Sequence, residues 1–222
     1  MDIADFPLIY EDNHLLVVNK PAGILTQPSG TTQVNLEEQA KAWIKVTHHK
    51  PGNVFLGTVH RLDKPVSGVV IFGKTSKALA RLNASMRAKL TRKLYYALVE
   101  GQLPATQGLL ENYMVHDDYH ALIAPPSHPE AKLARLHYRS IERRGHFTLV
   151  EVELETGRYH QIRLQLSTVG CPIAGDVKYG SVYPFEGRIA LHHAQLQIPH
   201  PITAQTCTFE APLPACFSTH LF

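Results

Sequence analysis

Residues 60–68, His-Arg-Leu-Asp-Lys-Pro-Val-Ser-Gly, bring a histidine, an arginine and a carboxylate within four positions. Pro65 and Gly68 favour a tight loop over the middle of a helix. The apolar run at 69–72 has the composition of a buried strand. Asp63 therefore stands on a loop held by a rigid element, where catalytic groups are often found. With His60 it could serve a hydrolase, but no second acid is suitably placed, and with Arg61 it could form only a weak surface ion pair.

Size and composition favour one ordinary globular domain. The chain has 222 residues, of which 44% are hydrophobic and 18% charged. This is enough for one sizeable core, although two small domains are also possible. We predict a single domain over residues 1–222. No apolar run is long enough for a transmembrane helix, and the acidic start lacks the features of a signal peptide, so we expect a cytosolic protein without a membrane partner.

Neither the cysteines nor the histidines indicate a metal site. The three cysteines, Cys171, Cys207 and Cys216, are scattered and are expected to be reduced. The 14 histidines lack the spacing of metal ligands on a helix. A net charge of +3 permits an anionic partner but does not require one.

Two short strands and a helix are predicted in the first quarter of the chain. The strands cover 8–12 and 15–19, with turn chemistry at Asp12 and Asn13 between them. Residues 36–47 place charged side chains on one helical face and apolar ones on the other. The predicted buried face consists of Leu36, Ala40, Trp43, Ile44 and Thr47.

A second helix is predicted after the strand at 69–72, with Ser76 as its N-cap. Its apolar face carries Leu79, Leu82, Met86 and Leu90. Its opposite face is basic and carries Lys77, Arg81, Arg87 and Lys89. Such a face is either simply solvated or in contact with the phosphates of a nucleic acid, which supply much of the affinity in nucleic-acid binding.

Strands dominate the rest of the chain. Residues 93–101 are rich in strand-forming residues, and Tyr95 shares a face with Ala97. Residues 147–155 alternate apolar and acidic side chains, which predicts an antiparallel strand with one face in water. Residues 108–130 show only short strand candidates and a proline-rich loop.

The C-terminal part combines one helix with a hairpin. The helix follows from the spacing of Ile162, Leu166 and Val169 and ends at Gly170. The hairpin pairs residues 189–198 with residues 203–209. We predict an α+β fold with a mixed, mainly antiparallel sheet.

Several segments, taken in order, resemble the RluA family of pseudouridine synthases. They are Asn-Lys-Pro-Ala-Gly at 19–23, His-Arg-Leu-Asp at 60–63, Lys-Leu-Tyr-Tyr-Ala-Leu-Val-Glu-Gly at 93–101, Glu-Thr-Gly-Arg-Tyr-His-Gln-Ile-Arg at 155–163 with Gly-Asp and Tyr-Gly beyond it, and Leu-His-His-Ala at 191–194. The resemblance implies the pseudouridine synthase fold, with flanking helices and a central catalytic cleft. Because the match starts within the first twenty residues, we expect the catalytic domain alone, without the small RNA-binding domain that many relatives carry before it.

The implied reaction turns a uridine within RNA into pseudouridine. The base is detached from the sugar, rotated and rejoined through carbon 5, without a metal or an organic cofactor. The absence of a phosphate-binding glycine loop agrees with this expectation. The expected partner is ribosomal or transfer RNA, and we expect a monomer.

By resemblance, three residues carry the chemistry. Asp63 is the catalytic carboxylate, which attacks the base or the anomeric carbon or assists glycosidic cleavage. Arg163 is the cation that keeps this carboxylate ionised in a dry pocket. Tyr95 packs against the target ring and moves a proton during rejoining.

Eight further residues are predicted to contact substrate or RNA: Arg61, His60, Arg158, His160, Leu191, Lys20, Arg81 and Arg87. Arg61 would fill the space that the flipped nucleotide leaves, or contact its backbone, and Leu191 would close the pocket. For His160, a buried residue that orients its loop is an equal alternative.

The chain departs from the family pattern at two positions. Val66 stands where the family usually has threonine, so the hydroxyl is lost, and Gln165 stands where many members have histidine. Neither supplies the expected nucleophile, cation or tyrosine. The main rival is a non-catalytic RNA-binding or RNA-folding protein on the same fold, which would need no nucleophile.

Overall fold

The computed structural model describes residues 6–30, 32–185 and 187–219. Within these residues the chain forms two compact units. The first unit contains residues 6–91 and 193–212, and the second contains residues 92–192 and 213–219.

Eleven strands, four α-helices and a 3₁₀ helix at Val177–Tyr179 lie in the described residues. In chain order the strands and α-helices are β1 (Leu8–Glu11), β2 (Leu15–Lys20), α1 (Leu36–Thr47), β3 (Gly57–Thr58), β4 (Ser67–Gly73), α2 (Ser76–Arg87), β5 (Arg92–Glu100), β6 (Gln107–Asp117), β7 (His120–Ile123), β8 (Lys132–Arg144), β9 (Phe147–Leu154), α3 (Gln161–Thr168), β10 (Leu191–Pro199), β11 (Thr206–Glu210) and α4 (Ala215–Thr219).

The first unit is a sheet with helices packed against it. β2 pairs antiparallel with β1 and β4, and β10 pairs antiparallel with β11. β4 is buried along its whole length. The hydrophobic core cluster of this unit joins strand residues such as Val17, Ile71 and Ile198 to Leu82 of α2. The predicted strand at 69–72 and the final hairpin are confirmed.

Helix α1 begins and ends where the sequence predicts. Leu36, Ala40 and Ile44 are its buried residues, and Trp43 stacks on Phe6 with ring centroids 4.9 Å apart. Helix α2 differs in its cap. The N-cap is Thr75, whose hydroxyl accepts from the N–H of Ala78, so the prediction of Ser76 was wrong by one residue.

The assignment of Leu90 to the apolar face of α2 was also wrong. Leu90 lies beyond the end of the helix at Arg87 and is 62% exposed. Lys89 adopts a left-handed backbone conformation just before it, with φ at 55°, which ends the regular spacing.

The second unit contains an antiparallel sheet in the order β5, β9, β8, β6, β7. β9 has the predicted wet face, where Glu151 and Glu153 are only partly buried between fully buried neighbours. The long β6–β7 hairpin was missed. β6 has 11 residues, but its burial is partial along most of its length, so its sequence shows no clean apolar alternation.

The α+β class with a mainly antiparallel sheet is confirmed. Among the described residues, no helix is both long and apolar enough to cross a membrane.

Gly68 marks a close approach between strands of the first unit. Its φ is +118°, and a Cβ there would lie 2.6 Å from the backbone nitrogen of His193 and closer still to the carbonyl oxygen. We expect Gly68→Ala to destabilise the protein by at least about 3 kcal/mol, because backbone strain and a backbone clash add. Urea unfolding measures this loss.

Gly23 is the matched control for Gly68. Its φ is +94°, but a Cβ there meets no atom within 4 Å. Gly23→Ala should therefore cost only about 1–2 kcal/mol of conformational strain. Equal losses for the two variants would contradict the steric account.

Candidate active site

Asp63 lies on the loop between β3 and β4, here called the HRLD loop (residues 60–66). It is partly buried, and Arg61 two residues earlier is exposed. The carbonyl of Asp63 accepts from the N–H of Val66 at 3.0 Å, which closes a turn directly after the carboxylate. The loop has no regular secondary structure at Asp63, so contacts with other segments must fix it.

Lys20, at the end of β2, provides the largest set of these contacts. Its side chain is fully buried, and its ammonium donates to the carbonyls of Pro21, Asp63, Lys64 and Val66 over 2.7–3.3 Å. Burial lowers the pKa of Lys20 to about 7, while the charge of Asp63 acts in the opposite direction. Lys20 therefore holds the HRLD loop, and its contact with substrate or RNA stays a prediction.

A second brace comes from Gly23, the last residue of the recognised segment at 19–23, and from Thr26, which the sequence did not single out. The hydroxyl of Thr26 donates to the carbonyl of Leu62 at 2.8 Å and accepts from its N–H at 3.1 Å. The N–H of Gly23 donates to the carbonyl of Lys64 at 2.8 Å. Both neighbours of Asp63 are thus fixed through their main chains.

His60 is directed toward the sheet of the first unit. Its Nε2 accepts from the N–H of Ile71 at 3.4 Å, and its ring packs edge-on against His193 with centroids 5.5 Å apart. His193 in turn donates through Nδ1 to the carbonyl of Val69 at 2.7 Å. These contacts give His60 a structural role at the start of the HRLD loop.

Val66, which replaces the family's usual threonine, makes its contacts in the loop through its backbone. The side chain is 2% exposed, and the residue contributes to the loop through its N–H and its carbonyl. Those backbone contacts do not depend on the side-chain hydroxyl that threonine would bring.

In the second unit, Arg163 on α3 forms a two-pronged ion pair with Asp176. Its Nε and Nη2 donate to the two carboxylate oxygens at 2.7 and 2.8 Å. The side chains are 7% and 1% exposed, so the pair is buried. The guanidinium also lies over the ring of Tyr179, 5.1 Å from its centroid. The partnership of Arg163 with Asp63 stays a prediction.

His160 immediately precedes α3 and has a left-handed backbone, with φ at +51°. The Tyr179 hydroxyl accepts from the N–H of Ala121 at 2.8 Å and donates to Nδ1 of His160 at 2.8 Å. Burial, followed by the positive charge of Arg163, lowers the pKa of His160 to about 3. The ring is therefore neutral near pH 7, and its contacts are those of the orienting alternative.

Gln165, the second departure, joins α3 to the sheet of the second unit. It is fully buried, and its Nε2 donates to the carbonyls of Leu110 and Ala134 and to the side chain of Asn112 over 2.8–3.3 Å. Its Oε1 accepts from Gln161 at 3.0 Å. One amide thereby links α3 to both β6 and β8.

The remaining predicted residues divide by exposure. Tyr95 and Leu191 are 7% and 4% exposed, at sheet positions of the second unit. Arg158, Arg81 and Arg87 are exposed. Arg158 donates through Nε to the carbonyl of Leu133, and Arg81 donates through Nη1 to the carbonyl of Pro201.

The described residues contain no group of three or more His, Cys, Asp or Glu side chains that could hold a metal ion. The chemistry present is that of a carboxylate on a fixed loop in the first unit and a buried guanidinium in the second.

A family model described as RNA pseudouridylate synthase matches residues 14–168. An uncharacterized RNA pseudouridine synthase of Bacillus subtilis (strain 168), YhcT, is 34% identical, over 96% of this chain and 70% of the relative. Ribosomal large subunit pseudouridine synthase D of Nitrosomonas europaea is 33% identical, over 93% of this chain and 62% of the relative.

The fold agrees with a solved structure. Human RNA pseudouridylate synthase domain containing 4 superposes with a TM-score of 0.80 at 22% identity, over 95% of this chain and 90% of that one. The chain belongs to the RNA pseudouridylate synthase family, which are isomerases that convert uridine in RNA to pseudouridine. The predicted family, fold and reaction class are confirmed, and the catalytic interpretation is better supported than the binding-only rival.

The buried pair generates the first prediction for this site. Asp176→Asn should cost about 3 kcal/mol, because Arg163 would remain buried without a balancing charge. The double variant Arg163→Met with Asp176→Leu should recover most of that loss, because both charges are removed together. Urea unfolding measures both.

The control for this comparison is Glu142→Gln. Glu142 pairs with Arg144, and both side chains are at least 40% exposed. Its loss should stay within about 0.5 kcal/mol. If Asp176→Asn costs no more than this control, the buried pair does not stabilise the unit as described.

The second prediction concerns acid. Below pH 6.5 the unfolded chain protonates His160, whereas the folded state resists protonation until pH falls to about 3. The wild type should therefore lose about 2 kcal/mol between pH 6.5 and pH 5 through this residue. His160→Asn, which tolerates the left-handed backbone, should lack this loss.

Urea unfolding at pH 7 and pH 5 makes this comparison, with the exposed His146→Asn as a control that keeps the wild-type dependence. An identical acid loss in the wild type and in His160→Asn would show that His160 is not the group responsible.

Proposed function

We propose that this protein isomerises uridine in ribosomal RNA to pseudouridine, with Asp63 as the catalytic nucleophile. The observation that carries the proposal is the bracing of Asp63. Hydrogen bonds from Lys20, Thr26 and Gly23 fix the main chain on both sides of this carboxylate. Several hydrogen bonds to one short loop are expected where a reacting group must be held in place.

The reaction needs four steps. The bond between carbon 1 of the ribose and nitrogen 1 of the base breaks, assisted by attack of the Asp63 carboxylate on the sugar or the base. The base rotates, a bond forms between carbon 1 of the ribose and carbon 5 of the base, and the bond to the Asp63 carboxylate breaks, so that Asp63 is regenerated. The hydrogen on carbon 5 then leaves to solvent, and nitrogen 1 gains a proton. Tyr95 packs against the ring and moves the proton in this scheme.

Arg163 supplies the positive charge in the proposal. A guanidinium has five N–H donors. Arg163 pairs with Asp176 through Nε and Nη2, which places a buried positive charge on α3. We assign to this charge the role of keeping Asp63 ionised, because the reaction requires the ionised carboxylate.

The RNA contacts are assigned to exposed arginines. Arg61 fills the space left by the flipped nucleotide, and Arg158 contacts the backbone. Arg81 and Arg87, which lie on α2, contact RNA phosphates. Leu191 closes the pocket.

Ribosomal RNA is proposed as the substrate because a relative is named for the ribosomal large subunit, and transfer RNA is the second candidate. A single catalytic domain over residues 1–222, a monomeric state and a cytosolic location complete the proposal.

The test is tritium release from RNA labelled at uridine carbon 5. Ribosomal and transfer RNA from cells that lack the protein are supplied separately to the wild type and to Asp63→Asn. We expect release from ribosomal RNA by the wild type, and a loss of at least about 10³-fold in Asp63→Asn, because removing a nucleophile removes most of the rate. RNA binding should survive this change.

Asp118→Asn is the matched control, since Asp118 is an exposed carboxylate far along the chain from the HRLD loop. It should release tritium at the wild-type rate. Release from transfer RNA alone would change the substrate, and substantial turnover by Asp63→Asn would remove Asp63 from its role. Binding without any release by the wild type would support the RNA-binding rival.

A further inference from the structure

The side chain of Thr26 makes two hydrogen bonds to the backbone of a single residue of the HRLD loop. It is 3% exposed, and its single hydroxyl both donates to the carbonyl of Leu62 and accepts from the N–H of Leu62. A neighbouring strand satisfies a residue's backbone in the same manner. Leu62 is itself 7% exposed, so its two polar groups would lack ready access to water without Thr26.

The main chain of Thr26 is anchored in turn by helix α1. The carbonyl of Thr26 accepts from the N–H of Glu37 at 3.1 Å, and that of Leu25 accepts from the N–H of Leu36 at 2.8 Å. These N–H groups belong to the first turn of α1, where a helix has no partners of its own. The threonine thus connects the start of α1 to Leu62.

Helix α1 is a rigid base for this connection. Its inward face is buried in the first unit. Asn35 caps its N-terminus by accepting from the N–H of Glu38 at 2.9 Å, and its amide donates back to the Glu38 carboxylate at 2.6 Å. The reciprocal cap fixes the first turn, which is the part that contacts Leu25 and Thr26.

We propose that Thr26 is a positioning residue for catalysis: its hydroxyl sets the peptide between Leu62 and Asp63 and thereby aims the Asp63 carboxylate. This inference rests on the proposed function of Asp63. Lys20 acts on the other side of the nucleophile, because its ammonium binds the carbonyls of Asp63, Lys64 and Val66. The two braces therefore act on different peptide groups, and Lys20 does not substitute for Thr26 at Leu62.

Removing the hydroxyl should allow the loop to shift. Thr26→Val keeps the shape of the side chain but leaves a buried N–H and a buried carbonyl unpaired. The main chain can relieve this only by moving toward water or another partner. Since a displacement of about 1 Å can cost up to about 10²-fold in rate, a small shift is enough to be measured.

The experiment compares Thr26→Val and Thr26→Ser with the wild type in single-turnover tritium release, with enzyme in excess and saturating over RNA. Thr26→Val should lower the rate at least about tenfold, and Thr26→Ser should restore it to within about threefold because the hydroxyl returns. RNA affinity, measured separately, should stay within about twofold for both variants, because the residue is buried and its effect is on the reacting geometry.

Thr75→Val is the control for a loss of stability alone. Thr75 caps α2 in the same unit through its hydroxyl, and its loss should cost about 1 kcal/mol of stability without changing the single-turnover rate. Urea unfolding confirms that each variant is folded under the assay conditions.

Three results would overturn the inference: a wild-type rate in Thr26→Val, a failure of Thr26→Ser to recover, or an equal loss of rate in Thr75→Val. The proposed function fails in a different way, because then the wild type itself releases no tritium.

Discussion

The arrangement of the first unit around Asp63 depends on one buried ammonium. Lys20 has three N–H donors, and four carbonyls lie within 3.3 Å of them. Hydrogen bonds from a charged donor contribute about 1.5–3 kcal/mol each, and burial of an isolated ammonium costs several kcal/mol. The two effects are of similar size, so the ammonium is tolerated only while the HRLD loop keeps its carbonyls turned inward. This mutual dependence gives a loop without regular secondary structure a single conformation.

The second unit handles its buried cation differently. Arg163 is bonded directly to a carboxylate, whereas the ammonium of Lys20 donates to uncharged carbonyl groups and is affected through space by the charge of Asp63. A planar guanidinium suits a two-pronged partner, and the ring of Tyr179 covers its face. The hydroxyl of the same tyrosine is bonded to both Ala121 and His160, so the orientation of the ring is fixed at its far end. The guanidinium therefore has little freedom to rotate.

Local sequence patterns predicted the helices and strands whose burial depends on residues close together in the chain. Helix α1 and strand β9 were found because burial repeats at the period of each element. The contacts that shape the HRLD loop depend on residues about 35–45 positions away in the chain, and no local period reports them. Lys20 illustrates the limit: a lysine beside a loop is ordinarily exposed, and only the fold reveals that this one is turned inward. Asp176 belonged to a recognised Gly-Asp segment, but its partner became evident only when Arg163 was placed beside it.

The amide of Gln165 has a consequence for the range of conditions under which α3 remains attached to its sheet. An amide neither gains nor loses a proton in the range where proteins are folded, so its bonds to Leu110, Asn112 and Ala134 are the same in mildly acidic and mildly alkaline solution. An imidazole at this position would change its number of donors across neutrality. In this chain the bonds that attach α3 to the sheet through Gln165 do not change with pH. Of positions 160 and 165, only His160 makes α3 sensitive to acid.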